Sequence, residues 1–218
     1  MKVRLIFWLY ALATLANLTA QVISYEELNR YTKPLLMPIL LVYVYQSSLG
    51  KTTSRVLLLS LAIIFSWFGD VALMYQSSEL YFLVGIGLFL IAQIIYVVVL
   101  RKSTYSTPKV TVVHLLPFFL YAAILFYILL PAGDFTIPII IYGLVILTMM
   151  VIASLRRNLT SVKSFRYAFL GSVLFVLSDS ILAINAFKMQ IPNAGLFIML
   201  TYCAAQYLLA CGILSHQE

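Results

Sequence analysis

Long apolar stretches separated by short polar ones run along the whole chain, and eight of them are candidates to cross a membrane: 3–23, 32–46, 56–75, 80–100, 110–130, 136–155, 167–187 and 192–214. A span needs roughly 20 predominantly apolar residues to cross about 30 Å of hydrocarbon. Alternation of period two is absent, and the stretches are about twice the length of barrel strands, so helices are predicted. The second stretch is short and holds Pro34 and Pro38. A bent or half-inserted helix fits it.

Composition agrees with this pattern. Of 218 residues, 63% are hydrophobic and 10% charged, with mean hydropathy +1.04, far from the roughly 25% charge of a soluble domain. The expected architecture is an all-α, polytopic integral membrane bundle of eight helices. No connection is long enough to fold by itself, so residues 1–218 are read as one membrane domain.

A net charge of +7 would suit nucleic acid if its location did not explain it better. With eight spans, one side receives Lys2, Arg4, Lys51, Arg55, Arg101, Lys102, Lys109, Arg156, Arg157, Lys163 and Arg166, eleven of the fourteen basic residues. The other side holds Arg30, Lys33 and Lys188 and collects Glu26, Glu27, Glu79 and Asp134. That asymmetry follows the positive-inside rule, so both termini are expected in the cytoplasm. Anionic lipid is then the partner of the basic loops, and nucleic acid is not expected. Lys2 and Arg4 ahead of an apolar run resemble a signal peptide, but the run is long enough to span, so a retained signal-anchor is expected. Cys203 and Cys211 lie eight residues apart in one helix, too far to bridge each other, and are read as packing residues.

Within the apolar stretches two acids stand out. SWFGDVALM places Asp70 in the third, and GSVLFVLSDSILA places Asp179 in the seventh. Ionisable groups inside a span cost about 2.5–3.5 kcal/mol at the helix centre on insertion scales, so they face a bundle interior or a wet cavity. Both stretches run outward in this topology. At 1.5 Å per residue Asp70 sits roughly 7 Å and Asp179 roughly 12 Å below the outer end, similar depths. Each follows a small residue, Gly69 or Ser178, which lets a neighbouring helix approach closely. A structural role, capping or bonding a neighbouring helix, suits either acid alone. Two in the shared frame [GS]-D-x-x-L favour function.

The following helices add Gln93 with Tyr96, and Tyr202 with Gln206, the last pair four apart on one face. Aspartate and Ala-Gln are 23 residues apart in the first half and 27 in the second, which hints at a parallel repeat of four helices. TKPLLMP sets Lys33 at the outer mouth of the second helix, as a snorkelling lysine, a partner for a carboxylate or a phosphate ligand. Other tyrosines and phenylalanines are read as interfacial belt and packing. His114 and His216 are read as interfacial. No Cys/His cluster, phosphate loop, H-E-x-x-H or G-x-S-x-G is present, so the expected chemistry uses carboxylates, amides, phenols and one lysine, with neither metal nor cofactor.

Taken together these stretches resemble the YhhN-like lysoplasmalogenase family. The resemblance is carried by TKP at Lys33, S-x-x-GD-x-x-LM from Ser66 to Met74 and F-x-x-A-x-x-x-Y from Phe89 to Tyr96. GS-x-LF-x-x-SD-x-x-LA from Gly171 to Ala183 and TY-x-x-AQ-x-L from Thr201 to Leu208 complete it. One position departs: the family commonly has histidine where this chain has Gln93, which hydrogen-bonds but carries no proton near neutral pH.

The resemblance implies an eight-helix membrane enzyme that hydrolyses the vinyl ether of lysoplasmenylethanolamine or -choline to a fatty aldehyde and glycerophosphoethanolamine or -choline. It implies residence in a bacterial cytoplasmic or endoplasmic reticulum membrane. Such chemistry needs a proton donor, a stabiliser of positive charge and a group that orients water. Two carboxylates in unequal surroundings can divide those tasks. Asp70 and Asp179 are therefore the expected acid/base pair, roles open. Ser66, Gln93, Tyr96, Ser178, Tyr202 and Gln206 are expected around water or the glycerol hydroxyl, and Lys33 at the headgroup phosphate. The rival reading is a proton-coupled transporter of a small molecule or lipid built on the same two aspartates, with Pro34 and Pro38 in a discontinuous helix.

Overall fold

The computed structural model describes residues 2–49, 53–75, 78–106 and 110–216. Among these the chain forms eight α-helices and one short 3-10 turn, Gly133–Phe135. The helices are α1 (Lys2–Val22), α2 (Glu26–Ser47), α3 (Ser54–Leu73), α4 (Glu79–Lys102), α5 (Val112–Leu129), α6 (Thr136–Leu155), α7 (Val162–Phe187) and α8 (Ala194–Leu214). Lys51 and Lys109, counted above among the basic loops, lie outside the described residues.

Helix α6 coincides with its apolar stretch, whereas α2 and α7 begin well before theirs. Counting apolar residues misses a polar first turn that is nonetheless helical. At α7 the Ser161 hydroxyl accepts from the Ser164 amide at 3.2 Å, and at α3 Thr53 does the same for Val56 at 3.3 Å. Both supply an acceptor for a backbone N–H that the helix start leaves without one.

Seven of the eight helices are long and apolar enough to cross a membrane, and α2 is the exception. It is 22 residues long, but its first turns carry Glu26, Glu27, Arg30 and Lys33. Large apolar side chains point outward on helix after helix, as with Leu5, Trp8 and Leu12 of α1 and Phe119, Leu120 and Tyr127 of α5. In water such a surface would be untenable; in lipid it is the solvent-matched face. The protein is a multi-pass integral membrane protein.

Two units are distinguishable, 1–99 and 100–218, so α4 lies in the first except for its last residues. In the first unit α2 packs against α1 and α3. Helices α3 and α4 meet through glycines: a Cβ added at Gly69 would lie 2.7 Å from the Phe89 ring, and one at Gly85 would lie 2.7 Å from Leu73. The paired positions, 69 with 89 and 73 with 85, set an antiparallel register.

In the second unit α7 and α8 form the main pair, with α6 against α7 and α5 touching both α6 and α7. Small residues bring the two backbones together. A Cβ at Gly171 would lie 2.8 Å from the Leu209 amide nitrogen, so packing there is by close van der Waals approach, the mode available where lipid removes any hydrophobic drive between helices.

One basic residue departs from the loop reading. Arg156, at the end of α6, is fully buried. Its Nη2 donates to Ser164 Oγ at 2.7 Å and its Nη1 to the Leu100 carbonyl at 3.3 Å, while Ser164 Oγ donates to the Gly212 carbonyl at 2.6 Å. Arg156 therefore ties α6, α7 and α8 together instead of facing lipid headgroups. His216 likewise is buried and meets the Tyr105 ring at a tilt of 47°, centroids 4.7 Å apart.

Candidate active site

The first aspartate lies on a stretch of α3 that α4 meets at Gly69 and α2 at Trp67. Asp70 is buried on α3, 3% exposed. Gly69 beside it takes the Phe89 ring of α4 against its backbone, the close approach expected of a small residue there. Continuing the α3–α4 register brings Gln93 level with Ser66, one turn from Asp70. Both are fully buried. Among the described residues neither the Ser66 hydroxyl nor either end of the Gln93 amide has a hydrogen-bond partner. Burying an amide without partners costs several kcal/mol at the upper end of transfer scales, so this is a costly feature in a well-packed helix pair. Tyr96, a turn further along α4, is also fully buried.

Helix α2 reaches the same level through Trp67. A proline removes the N–H that would bond the carbonyl four residues earlier, so Pro38 leaves the Pro34 carbonyl without its helical donor. Trp67 Nε1 supplies one at 2.8 Å. Helix α2 runs unbroken across both prolines, correcting the discontinuous helix of the transporter reading, and the Trp67 bond satisfies the carbonyl freed there. That bond also sets Lys33 within about a turn of Asp70 along the shared axis. Lys33 itself is half-buried.

The second aspartate has a different setting. Asp179 on α7 is half-buried, and the Tyr142 hydroxyl of α6 donates to its Oδ2. Next to it, Ser180 Oγ donates to the Val176 carbonyl at 2.7 Å. With that proton committed, Tyr121 of α5 is the donor in its 2.8 Å bond to Ser180. Ser178, on the other side of Asp179, donates to the Ile198 carbonyl of α8 at 3.1 Å, so here too the small residue before the acid meets a neighbouring helix.

Tyr202 and Gln206 share one buried face of α8, with the Gln206 amide donating to the Tyr202 hydroxyl at 3.3 Å. Tyr202 meets Phe175 edge-on, centroids 5.5 Å apart, which sets it one turn along α7 from Asp179. An apolar groove of about 220 Å³ between α5 and α6 is lined by Phe118, Phe119, Ala122, Leu144 and Thr148, among others. Tyr121 and Tyr142 flank one end of it in sequence.

Sequence reasoning located both acids but missed Trp67, Tyr121, Tyr142 and Ser180. The two tyrosines were absorbed into the interfacial belt, whereas both donate to polar groups of α7. A signal existed for Tyr142: it is the lone polar side chain within PIIIYGLVIL. Trp67 was legible only through Pro38, which leaves the Pro34 carbonyl in need of a donor from elsewhere. The two buried cysteines are free, as the packing reading expected.

Comparison with known proteins follows the same stretches. The model of the YhhN family matches residues 28–213. The chain is 31% identical to human lysoplasmalogenase TMEM86B over 157 residues, covering 72% of this chain and 63% of that protein. It is 31% identical to the rat lysoplasmalogenase TMEM86B over 81% of this chain and 70% of that one. The pig lysoplasmalogenase TMEM86B is 28% identical over 81% and 72%. The match thus spans less than two thirds of the human relative's length. No solved structure matches the chain. The family match takes in α3, α4 and α7, most of α2 and nearly all of α8, with every candidate residue named above, and on it this chain belongs to the YhhN family.

Proposed function

We propose that this protein hydrolyses the vinyl ether of lysoplasmalogens, releasing a fatty aldehyde and a glycerophospho-base, with Asp70 and Asp179 as its acid/base carboxylates. The observation that carries the reading is a pair of in-span aspartates, one of them beside a buried amide and hydroxyl that no described side chain satisfies, in a chain whose relatives are named lysoplasmalogenases.

The reaction divides into steps those groups can serve. One carboxylic acid gives its proton to the β-carbon of the enol ether, leaving an oxocarbenium ion. The other, as carboxylate, takes a proton from the water that attacks the α-carbon. In the collapse to aldehyde and alcohol the carboxyl that took the water proton gives it to the departing glycerol oxygen, and the first carboxylate takes the hemiacetal hydroxyl proton, so both carboxyls end as they began. A carboxylate near the cation also stabilises its charge as it forms. Gln93 and Ser66, with unused donors and acceptors, orient water; Gln206 and Tyr202 serve the glycerol hydroxyl; Lys33 meets the headgroup phosphate. The alkenyl chain enters sideways from lipid along apolar helix faces, of which the α5–α6 groove is one.

Purified protein in detergent, given lysoplasmenylethanolamine, lysoplasmenylcholine, the matching alkyl ethers and acyl lysolipids, is expected to release aldehyde from the vinyl ethers alone. Solute flux in liposomes without aldehyde release would assign the aspartates to transport instead.

A further inference from the structure

A polar network joins α1 to α2 in a helix pair that would otherwise be apolar, and none of it takes part in the chemistry above. Asn17 is fully buried on α1. Its Nδ2 donates to Asn29 Oδ1 at 2.9 Å and to Thr32 Oγ1 at 3.0 Å. Gln21 Nε2, one turn along α1, donates to the same Asn29 oxygen at 3.1 Å. Thr32 passes its own proton to the Leu28 carbonyl at 2.7 Å. The three bonds by which this network crosses between the helices therefore each run from a donor on α1 to an acceptor on α2.

That direction fixes the orientation of Asn29. An amide receiving two N–H donors presents its oxygen to them, so its nitrogen is turned away with two N–H groups to give. Among the described residues Asn29 Nδ2 donates to nothing. Asn29 is half-buried, and one turn on along the same face stands Lys33, also half-buried. Among the described residues Lys33 has neither a hydrogen bond nor an ion pair. The acids of α2 are elsewhere: Glu26 and Glu27 are exposed in its first turn, Glu27 accepts from Tyr25 at 3.1 Å, and Arg30 is one turn from Glu26. One acceptor of the network is left over, Asn17 Oδ1, buried with no partner among the described residues.

We propose that Asn29 Nδ2 and Lys33 Nζ together form the site for the phosphate of the substrate headgroup, with Asn17 and Gln21 as positioning residues that hold the Asn29 amide in its donating orientation. A lysine alone attracts any anion as a point charge; an oriented amide beside it adds directed donors to phosphate oxygens. This inference rests on the reading of the substrate as a lysophospholipid and adds the α1–α2 site that recognises it.

The test is binding of an alkyl-ether lysophosphoethanolamine, which has no vinyl ether to cleave, against the same alkylglycerol without phosphate, on the full chain in detergent. Wild type is expected to bind the phosphate-bearing lipid at least about tenfold tighter. Asn29→Asp is the decisive variant: its carboxylate still accepts from Asn17 and Gln21, so the folded protein survives, while its donors are replaced by repulsion. It and Lys33→Gln should each remove most of the preference and raise KM about tenfold, with kcat changed less than twofold. Asn17→Ala should remove part of it. A preference that survives both Asn29→Asp and Lys33→Gln overturns the site. Inorganic phosphate competing in the absence of any preference between the two lipids overturns the lipid assignment in favour of the free anion. Should no vinyl ether be cleaved while the preference still depends on Asn29 and Lys33, the hydrolase reading fails and this site stands.

Discussion

Asp70 and Asp179 share a sequence frame and a preceding small residue, yet their surroundings are built on opposite terms. Asp70 is almost wholly buried, close to a serine and a glutamine that lack hydrogen-bond partners among the described residues. Asp179 is half-buried and receives a phenol, with a second phenol bonded to the serine beside it. In the first setting the serine and the glutamine leave polar capacity unspent, and the second has spent its capacity on the protein itself. Unspent capacity is what a site keeps for water or substrate; spent capacity holds a side chain in place. The repeated motif thus marks where a carboxylate sits and says nothing about what it meets.

The most severe way to break this comparison is to neutralise each acid in turn. Asp70→Asn and Asp179→Asn should each lower the rate of aldehyde release about a thousandfold while the protein still elutes as a folded species in detergent. Full activity in either variant would reduce the pair to a single acid.

Next comes Gln93→Leu, which sharpens the contrast in stability as well as in rate. An amide buried without partners costs more than an apolar side chain of similar size. The variant should therefore melt at the same temperature as wild type or higher, yet release aldehyde about tenfold to a hundredfold more slowly. A lower melting temperature would show that the Gln93 amide is satisfied and structural.

On the other side of the comparison, Tyr142→Phe removes the donor to Asp179. The expected loss is about tenfold in kcat, equivalent to about 1.4 kcal/mol. Tyr121→Phe, whose partner is Ser180 and not the carboxylate, should change kcat by less than about twofold; equal losses in the two variants would mean that the Asp179 bond has no special role.

The smallest effect is expected at Trp67→Phe. Losing one indole N–H to the Pro34 carbonyl should cost about 1 kcal/mol, seen as a melting temperature lower by about 2–4 °C. Because the bond sets Lys33 near the level of Asp70, KM should rise modestly with it.

How much of this was legible beforehand varies with the physics of each feature. Helix count and helix type were readable because lipid forces every backbone polar group to be satisfied within the helix, and the length of an apolar run is a local property. Both aspartates and the Gln93 and Gln206 amides were readable because a polar group in such a run is conspicuous by its cost. Arg156 does lie in the turn after α6, but its burial was not foreseen because sequence position at a helix end does not reveal which way a side chain turns. The partners of Asp179 were missed because tyrosine is common at membrane interfaces, and that prior outweighed the position of Tyr142 within its helix.

By itself, then, the sequence determined a helical membrane protein, the placement of its two in-span acids and its resemblance to a family, all through costs that act along the chain one helix at a time. Only the tertiary structure decided which of those polar groups are satisfied. A hydrogen bond between helices depends on register and close approach, as at Gly69 against Phe89, at Trp67 over the carbonyl that Pro38 orphans, and at Asn17 reaching Asn29. Those are relations between segments far apart in the chain, and no single apolar run contains the information that sets them.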